Sequence, residues 1–148
     1  MTQKQLRCPI TQPSVARRIL IVEDDFASFK VLQEYLNDYG ECCFATDGPD
    51  AVAAFKDALK QGRPYDLICL DIMLPNMDGH RALEEIHQIE RTHGIPPERS
   101  VKVIMTTAID DSEVIAQAFN EGCKAYLVKP ITTDRIYHEM NKLEMIPS

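Results

Sequence analysis

The sequence has no long hydrophobic run and no cluster of basic residues. Residues 1–17 mix Thr, Gln, Lys, Pro and Arg with isolated apolar residues, so they contain neither the apolar core of a signal peptide nor a transmembrane segment. We interpret this stretch as a flexible N-terminal tail and expect no membrane partner. The formal net charge is −7 and no predicted helix carries grouped Lys and Arg residues, which argues against nucleic acid as a partner.

Cysteine and histidine are too scattered to indicate a metal site. The five cysteines are an odd number at no metal-binding or disulfide spacing: Cys8, Cys42, Cys43, Cys69 and Cys123. We therefore expect reduced thiols in the cytoplasm, with the adjacent pair filling the core. The four histidines share no spacing, and we interpret all of them as surface residues: His80, His87, His93 and His138.

The chain does have enough apolar sequence for one core. With 148 residues, 45% of them hydrophobic and 26% charged, we predict a single domain over residues 18–148. Its most informative stretch is Leu67–Leu70, four consecutive apolar residues without helical spacing that end on Asp71 and are followed by a turn at Pro75. Such a run, bounded by turn residues, predicts a strand buried on both faces.

Strand and helix patterns alternate along the rest of the chain. Further strands are predicted at Ile19–Val22, Cys42–Thr46, Val101–Thr106 and Ala125–Val128. Helical spacing and stop signals predict five helices. The first spans about Phe26–Tyr39, and the second lies around Val52 to Leu59 with Pro49 in its first turn. The third lies around Leu83 to Ile89 and ends near His93, the fourth begins at a capping box of Asp110 and Glu113, and the fifth lies around Ile136 to Leu143. We expect nothing folded after Leu143.

Five strands alternating with five helices predict an α/β, doubly wound, five-stranded parallel sheet of flavodoxin-like order 2-1-3-4-5. In that order the chain changes direction between strands one and three, and ligands bind outside the carboxyl ends of the strands at such a point. Glu23, Asp24 and Asp71 would converge there. The fourth strand would bring the hydroxyl of Thr107 to the same edge, and the fifth would bring the ammonium of Lys129.

Three carboxylates at one edge predict a bound cation, because like charges at close range disfavour full ionisation. A magnesium ion, Mg²⁺, suits oxygen ligands without His or Cys. A metal-bound carboxylate is able to attack phosphorus and form an aspartyl phosphate. Lys129 would then pair with phosphoryl oxygens, and the Thr107 hydroxyl would donate to another.

Each of these residues also has a simpler interpretation. Asp24 or Asp25 alone would most often be the N-cap of the first helix. Thr107 alone would cap a turn, and Lys129 alone would be a solvated charge. Only the shared sheet edge, with Asp71 at its centre, favours the functional interpretation.

Several short motifs resemble the receiver domain of bacterial two-component response regulators, especially stand-alone, chemotaxis-regulator-like ones. They are Val22-Glu23-Asp24-Asp25, Asp71-Ile72-Met73-Leu74-Pro75-Asn76-Met77-Asp78-Gly79, Thr107-Ala108 and Lys129-Pro130. The resemblance runs from about Arg18 to Leu143. It implies that Asp71 is the phosphoacceptor, that Asp24 binds Mg²⁺ directly, that Glu23 acts through water and that the carbonyl of Met73 is a further metal ligand.

The resemblance also assigns the residues around the phosphoryl group. Lys129 resembles the phosphate-binding lysine, its bond to Pro130 is expected to be cis, and Thr107 and Tyr126 resemble the switch pair. Phosphorylation would draw Thr107 inward and let Tyr126 turn in, changing the face built by helix four, strand five and helix five. The loop from His93 to Ser100 is longer than the family pattern.

A signalling role in a phosphorelay follows from this resemblance, with a histidine kinase or a histidine phosphotransfer protein as donor and an unidentified protein as target. Homodimerisation through the switch face is a further partner option. Such a protein catalyses only its own phosphorylation and a slow dephosphorylation, the latter because Met73 and Ile109 are apolar and cannot orient an attacking water.

Two rival enzyme or cofactor classes fail on particular residues. A flavodoxin would need a phosphate loop where Glu23-Asp24-Asp25 stands, and a haloacid-dehalogenase-type phosphatase would need an acid at Met73. The remaining alternative is a receiver-like binding module that acts without phosphorylation.

Overall fold

A computed structural model describes residues 17–74, 76–108 and 112–145 of the chain. Strands and helices alternate as the sequence predicts. The elements are β1 (Arg18–Val22), α1 (Phe26–Leu36), β2 (Glu41–Ala45), α2 (Gly48–Lys60), β3 (Leu67–Asp71), α3 (Gly79–Thr92), β4 (Lys102–Thr107), α4 (Ser112–Asn120), β5 (Ala125–Val128) and α5 (Thr133–Lys142). A short 3₁₀ turn at Pro97–Arg99 precedes β4.

All strand pairs are parallel and the sheet order is β2-β1-β3-β4-β5, which confirms the predicted flavodoxin-like topology. The central strand β3 has all five residues buried, because it pairs with β1 on one side and β4 on the other and is covered on both faces. Helices α2, α3 and α4 cover one face, and α1 and α5 cover the other. No helix in the described part of the chain is long and apolar enough to cross a bilayer.

Several element ends differ from the sequence prediction. Helix α1 ends at Leu36 rather than Tyr39, although the Tyr39 side chain is buried. Thr107 is the last residue of β4 rather than a residue after it. The expectation that nothing folded follows Leu143 is wrong, because Met145 is buried and its amide donates to the carbonyl of Met140 at 2.9 Å. Asp110 lies outside the described residues, as do residues 1–16 of the predicted tail.

The redox states of the described cysteines differ in part from the prediction. Cys42, Cys69 and Cys123 are free and buried as expected, and burial raises the pKa of each thiol to about 12. Cys43 is disulfide-bonded, so the prediction of a reduced thiol is wrong at that position. Cys8 lies outside the described residues.

Two of the four histidines are not surface residues. His80 Nδ1 contacts Glu121 Oε1, and the side chains of these two residues are half-buried between α3 and the end of α4. His87 is also half-buried, beside Gly122. The surface interpretation is wrong for both residues, because Glu121 and Gly122, which follow α4, lie against them.

A buried carboxylate fixes the long loop between α3 and β4. Glu90 is 4% exposed, and it accepts hydrogen bonds from Ser100 Oγ at 2.6 Å and the Val101 amide at 2.7 Å, while His87 Nδ1 lies 2.9 Å away. Burial alone would raise the pKa of Glu90, but the hydrogen bonds from His87, Ser100 and Val101 outweigh it and hold this pKa below its ordinary value. The end of α3 is thereby tied to the start of β4.

We expect Glu90→Gln to lower the free energy of unfolding at pH 7 by about 1–3 kcal/mol, since one amide oxygen cannot replace a carboxylate with several donors. Because the folded-state pKa is depressed, the contribution of Glu90 is present above the unfolded pKa of about 4.3 and is lost as pH falls through the lower folded pKa. Urea unfolding between pH 3 and pH 7 checks this. The exposed Glu84→Gln on the same helix is the control, and an equal loss in both variants would contradict the prediction.

Candidate functional site

Polar side chains follow four strands at the carboxyl edge of the sheet. Glu23 and Asp24 come directly after β1, Asp71 is the last residue of β3, Thr107 is the last residue of β4, and Lys129 follows β5. Because all the strands are parallel, these residues share one edge. The strands β1 and β3 are neighbours at the point where the chain reverses its direction of winding, which is where such folds bind ligands.

The structure brings the three predicted carboxylates together. One oxygen from each of Glu23, Asp24 and Asp71 lies within 4.8 Å of the others, and among the described residues this is the one acidic or His/Cys group close enough to hold a metal ion. Glu23 and Asp71 are buried, whereas Asp24 is exposed and leaves the group open to solvent. Three carboxylates with an open side are a donor set that fits Mg²⁺, which keeps several waters and prefers oxygen.

Lys129 lies against two of the three acids. Its Nζ donates to Glu23 Oε2 at 2.8 Å and to Asp71 Oδ2 at 3.0 Å. Burial would lower the pKa of Lys129, but the bonds to Glu23 and Asp71 outweigh burial and raise this pKa. Burial raises the pKa of Glu23, and the nearby charge of Asp71 adds to the rise, although the bond from Lys129 opposes it. The ammonium therefore keeps its charge and offsets part of the negative charge of the three carboxylates.

The second oxygen of Asp71 also has a partner. Oδ1 accepts a hydrogen bond from the amide of Met73 at 2.9 Å, so one backbone donor and one ammonium set the orientation of this carboxylate. The Met73 side chain is exposed. Ile109, which is predicted together with Met73 to border the path of an attacking water, lies outside the described residues.

Gly79 lets the chain pass close to the backbone of Asp71. A Cβ at Gly79 would lie 2.7 Å from both the carbonyl oxygen of Asp71 and the Cα of Ile72. The amide of Gly79 donates to the carbonyl of Ile72 at 2.9 Å. Only glycine therefore allows α3 to begin this close to the end of β3, a role that the sequence pattern did not reveal.

The two interpretations of Asp24 and Asp25 are resolved by geometry. Asp25 is the N-cap of α1, and it accepts from the Ser28 amide at 3.3 Å and the Ser28 hydroxyl at 2.6 Å. The bond from the Ser28 side chain lowers the pKa of Asp25. Asp24, which takes no part in the cap, belongs to the acidic group.

Thr107 and Tyr126 lie on neighbouring strands. Thr107 is buried, and its carbonyl accepts from the Lys129 amide at 2.7 Å. Tyr126 is half-buried and pairs with Met105 across the ladder, one position before the Thr106 and Leu127 pair. The peptide bond between Lys129 and Pro130 is cis, as predicted. The role of Thr107 and Tyr126 as a switch pair stays a prediction.

Comparison with known proteins decides the family. The model of the response regulator receiver domain matches residues 19–141. The chain belongs to this receiver domain family. It is 32% identical over 130 residues to the chemotaxis protein CheY of Bacillus subtilis, covering 86% of this chain and 98% of that protein.

Two further receiver domain relatives show the range of the family. This receiver is 34% identical over 134 residues to the signal transduction histidine-protein kinase BarA of Shigella flexneri, covering 88% of this chain but only 13% of that protein. The crystal structure of the receiver domain of the histidine kinase CKI1 from Arabidopsis thaliana, complexed with Mg²⁺ and BeF₃⁻, is 27% identical with a TM-score of 0.69, covering 84% of this chain and 90% of that one. Receiver domains of this fold therefore occur both as small proteins and within kinases.

Proposed function

We propose that this receiver accepts a phosphoryl group from the phosphohistidine of a histidine kinase or a histidine phosphotransfer protein onto Asp71, and that this reaction occurs in the cytoplasm. The observation that carries the proposal is the arrangement of Asp71 between two other carboxylates and the Lys129 ammonium.

Each residue of the site has its own role in the proposed in-line transfer of the phosphoryl group. A carboxylate oxygen of Asp71 attacks phosphorus, the phosphorus–nitrogen bond of the donor breaks, and its electron pair returns to the imidazole. Asp24, Asp71 and the Met73 carbonyl would hold Mg²⁺ directly and Glu23 would hold it through water, and the bound ion would offset the charge of the incoming phosphoryl oxygens. Lys129 is placed to donate to a phosphoryl oxygen because it already donates to Asp71. The hydroxyl of Thr107 would donate to another.

Support for magnesium comes from the donor set and from a relative. The three clustered side chains supply only oxygen ligands. The receiver domain of CKI1 was crystallised with Mg²⁺ and BeF₃⁻, and it is 27% identical to this chain. We propose the same cation for this site.

Incubation with acetyl phosphate and Mg²⁺, followed by intact-mass spectrometry, tests the proposal. One added phosphoryl group per chain is expected, and it should be lost on addition of hydroxylamine, which cleaves acyl phosphates. No uptake under these conditions would favour the alternative, a receiver-like module that binds its partner without phosphorylation.

The output of the phosphorylated protein is proposed to be the face formed by α4, β5 and α5. Two large hydrophobic side chains are exposed there, Phe119 on α4 and Tyr137 on α5. Thr107 and Tyr126 lie on the adjacent strands β4 and β5, and they would transmit the change from the site to this face. A downstream protein, a second copy of this chain or a further phosphotransfer partner would contact this surface.

Phosphorylation should therefore change hydrogen exchange most in α4, β5 and α5, because the switch residues lie on the strands that join them to Asp71. Hydrogen exchange of the free and the beryllofluoride-treated protein in Mg²⁺ measures this. Helices α1 and α2 serve as internal references. If the largest change appears around Val52 to Leu59, the Thr107 and Tyr126 pair does not transmit the signal.

A further inference from the structure

The loop between β3 and α3 is held from outside by the amino end of α2. Asn76 has a left-handed backbone with φ of 69°, and its Nδ2 donates to Asp47 Oδ2 at 3.0 Å. The other oxygen of Asp47 accepts from the Asp50 amide at 2.8 Å and caps α2. A single carboxylate thus starts a helix and anchors a loop that is 29 positions away in the chain.

A backbone contact reinforces this anchor. A Cβ placed at Gly48 would lie 2.6 Å from the Cβ of Met77 and 2.8 Å from its carbonyl oxygen. Met77 is half-buried and packs against the apolar cluster beneath α2 and α3. The first residue of α2 therefore has to be glycine for the loop to pack this closely.

The same loop carries the groups that face the acidic site. Its first part supplies the Met73 amide, which donates to Asp71 Oδ1, and the Met73 carbonyl proposed as a metal ligand. At its far end Gly79 packs on the backbone of Asp71 and Ile72. Between these ends, the contacts of Asn76 and Met77 with α2 restrict where the Met73 peptide lies.

We propose that Asp47 and Gly48, acting through Asn76 and Met77, are positioning residues that set the Mg²⁺ affinity of the site. This inference rests on the proposed function. Asp47 does not belong to the acidic group around Asp71, so its effect is transmitted through the loop backbone rather than by contact with the ion. Preorganised ligands bind more tightly because less order has to be imposed on binding.

Three substitutions separate this effect from charge and from helix stability. Asn76→Gly removes the side-chain bond without changing charge, and glycine readily adopts the left-handed backbone of this position. Asp47→Ser keeps a capping oxygen for α2 but removes the acceptor of Asn76. Gly48→Ala pushes the loop away through the Met77 carbonyl. The exposed Asp57→Ser on α2 is the control for loss of one negative charge.

Calorimetric Mg²⁺ titration is the decisive measurement, together with thermal unfolding in EDTA. We expect Asn76→Gly and Asp47→Ser each to weaken Mg²⁺ binding about threefold to tenfold, the factor that corresponds to the net contribution of one typical hydrogen bond. The double variant of Asp47→Ser and Asn76→Gly should bind Mg²⁺ no more weakly than the single variant that binds it more weakly, because both changes remove the same hydrogen bond. Gly48→Ala should have the largest effect, and Asp57→Ser should match the parent.

The outcomes distinguish this inference from the proposed function. If Asn76→Gly and Gly48→Ala lower the unfolding temperature but bind Mg²⁺ like the parent, the anchor is only structural and the inference is overturned. Additive losses in the double variant would overturn it too. Should Gly48→Ala fail to fold, Asn76→Gly still decides, because its side chain is exposed. A parent protein that binds no Mg²⁺ refutes the proposed function and this inference together.

Discussion

We expect the Asp71→Asn variant to take up no phosphoryl group from acetyl phosphate in the presence of Mg²⁺. Asparagine matches the size of aspartate and is able to accept from the Met73 amide, but its amide is a poor nucleophile and carries no charge for Lys129 or the metal. The loss should therefore be complete while the fold persists. Intact-mass spectrometry after incubation with the donor measures the uptake, and thermal unfolding checks the fold.

The matched control is Asp25→Asn. It makes the same change of charge beside the site, and asparagine caps helices as well as aspartate does, so α1 should persist. This control should be phosphorylated like the parent. Undiminished labelling of Asp71→Asn would mean that another carboxylate accepts the group and that the assignment of Asp71 is wrong.

The Asp24→Asn variant should bind Mg²⁺ at least about tenfold more weakly than the parent. Asp24 is the exposed member of the acidic group, so it is the carboxylate that an arriving ion meets with least obstruction. Loss of groups that merely orient ligands already costs about 10–100-fold in metal affinity, and a direct ligand should cost no less. Calorimetric titration with Mg²⁺ gives the dissociation constants.

Asp25→Asn again supplies the comparison, because its charge change is identical and its position differs by one residue. It should bind Mg²⁺ with nearly the affinity of the parent. Equal losses in the two variants would show that general electrostatics around α1, rather than ligation by Asp24, determines binding.

The carboxyl edge of the sheet could be predicted because strand identity depends on local sequence. The apolar run ending on Asp71 is short, continuous and bounded by turn residues, and the structure has β3 at Leu67–Asp71. Parallel pairing then gathers the ends of β1, β4 and β5 at one edge without further information. Topology alone therefore predicts that one edge of the sheet carries Glu23, Asp24, Asp71 and Lys129.

Helix ends and long-range contacts could not be predicted in the same way. Tyr39 continues the apolar spacing of α1, yet it is buried after the helix has ended at Leu36, and spacing does not distinguish these cases. His80 is covered by Glu121, which is 41 positions away in the chain. The bond from Asn76 to Asp47 likewise joins segments whose proximity only the folded structure reveals. The disulfide at Cys43 also had no signal in cysteine spacing.

The ammonium of Lys129 gives the folded chain its own counter-ion. It bonds to Glu23 and Asp71 directly, so a residue of the chain itself offsets part of the charge of two buried carboxylates. We therefore expect folding not to require the metal ion, in contrast to small zinc domains that unfold without their ion. A chelator should prevent phosphorylation without unfolding the protein. On this view the proposed Mg²⁺ would act as a binding element for the reacting phosphoryl group, and its occupancy would follow its concentration without affecting the fold.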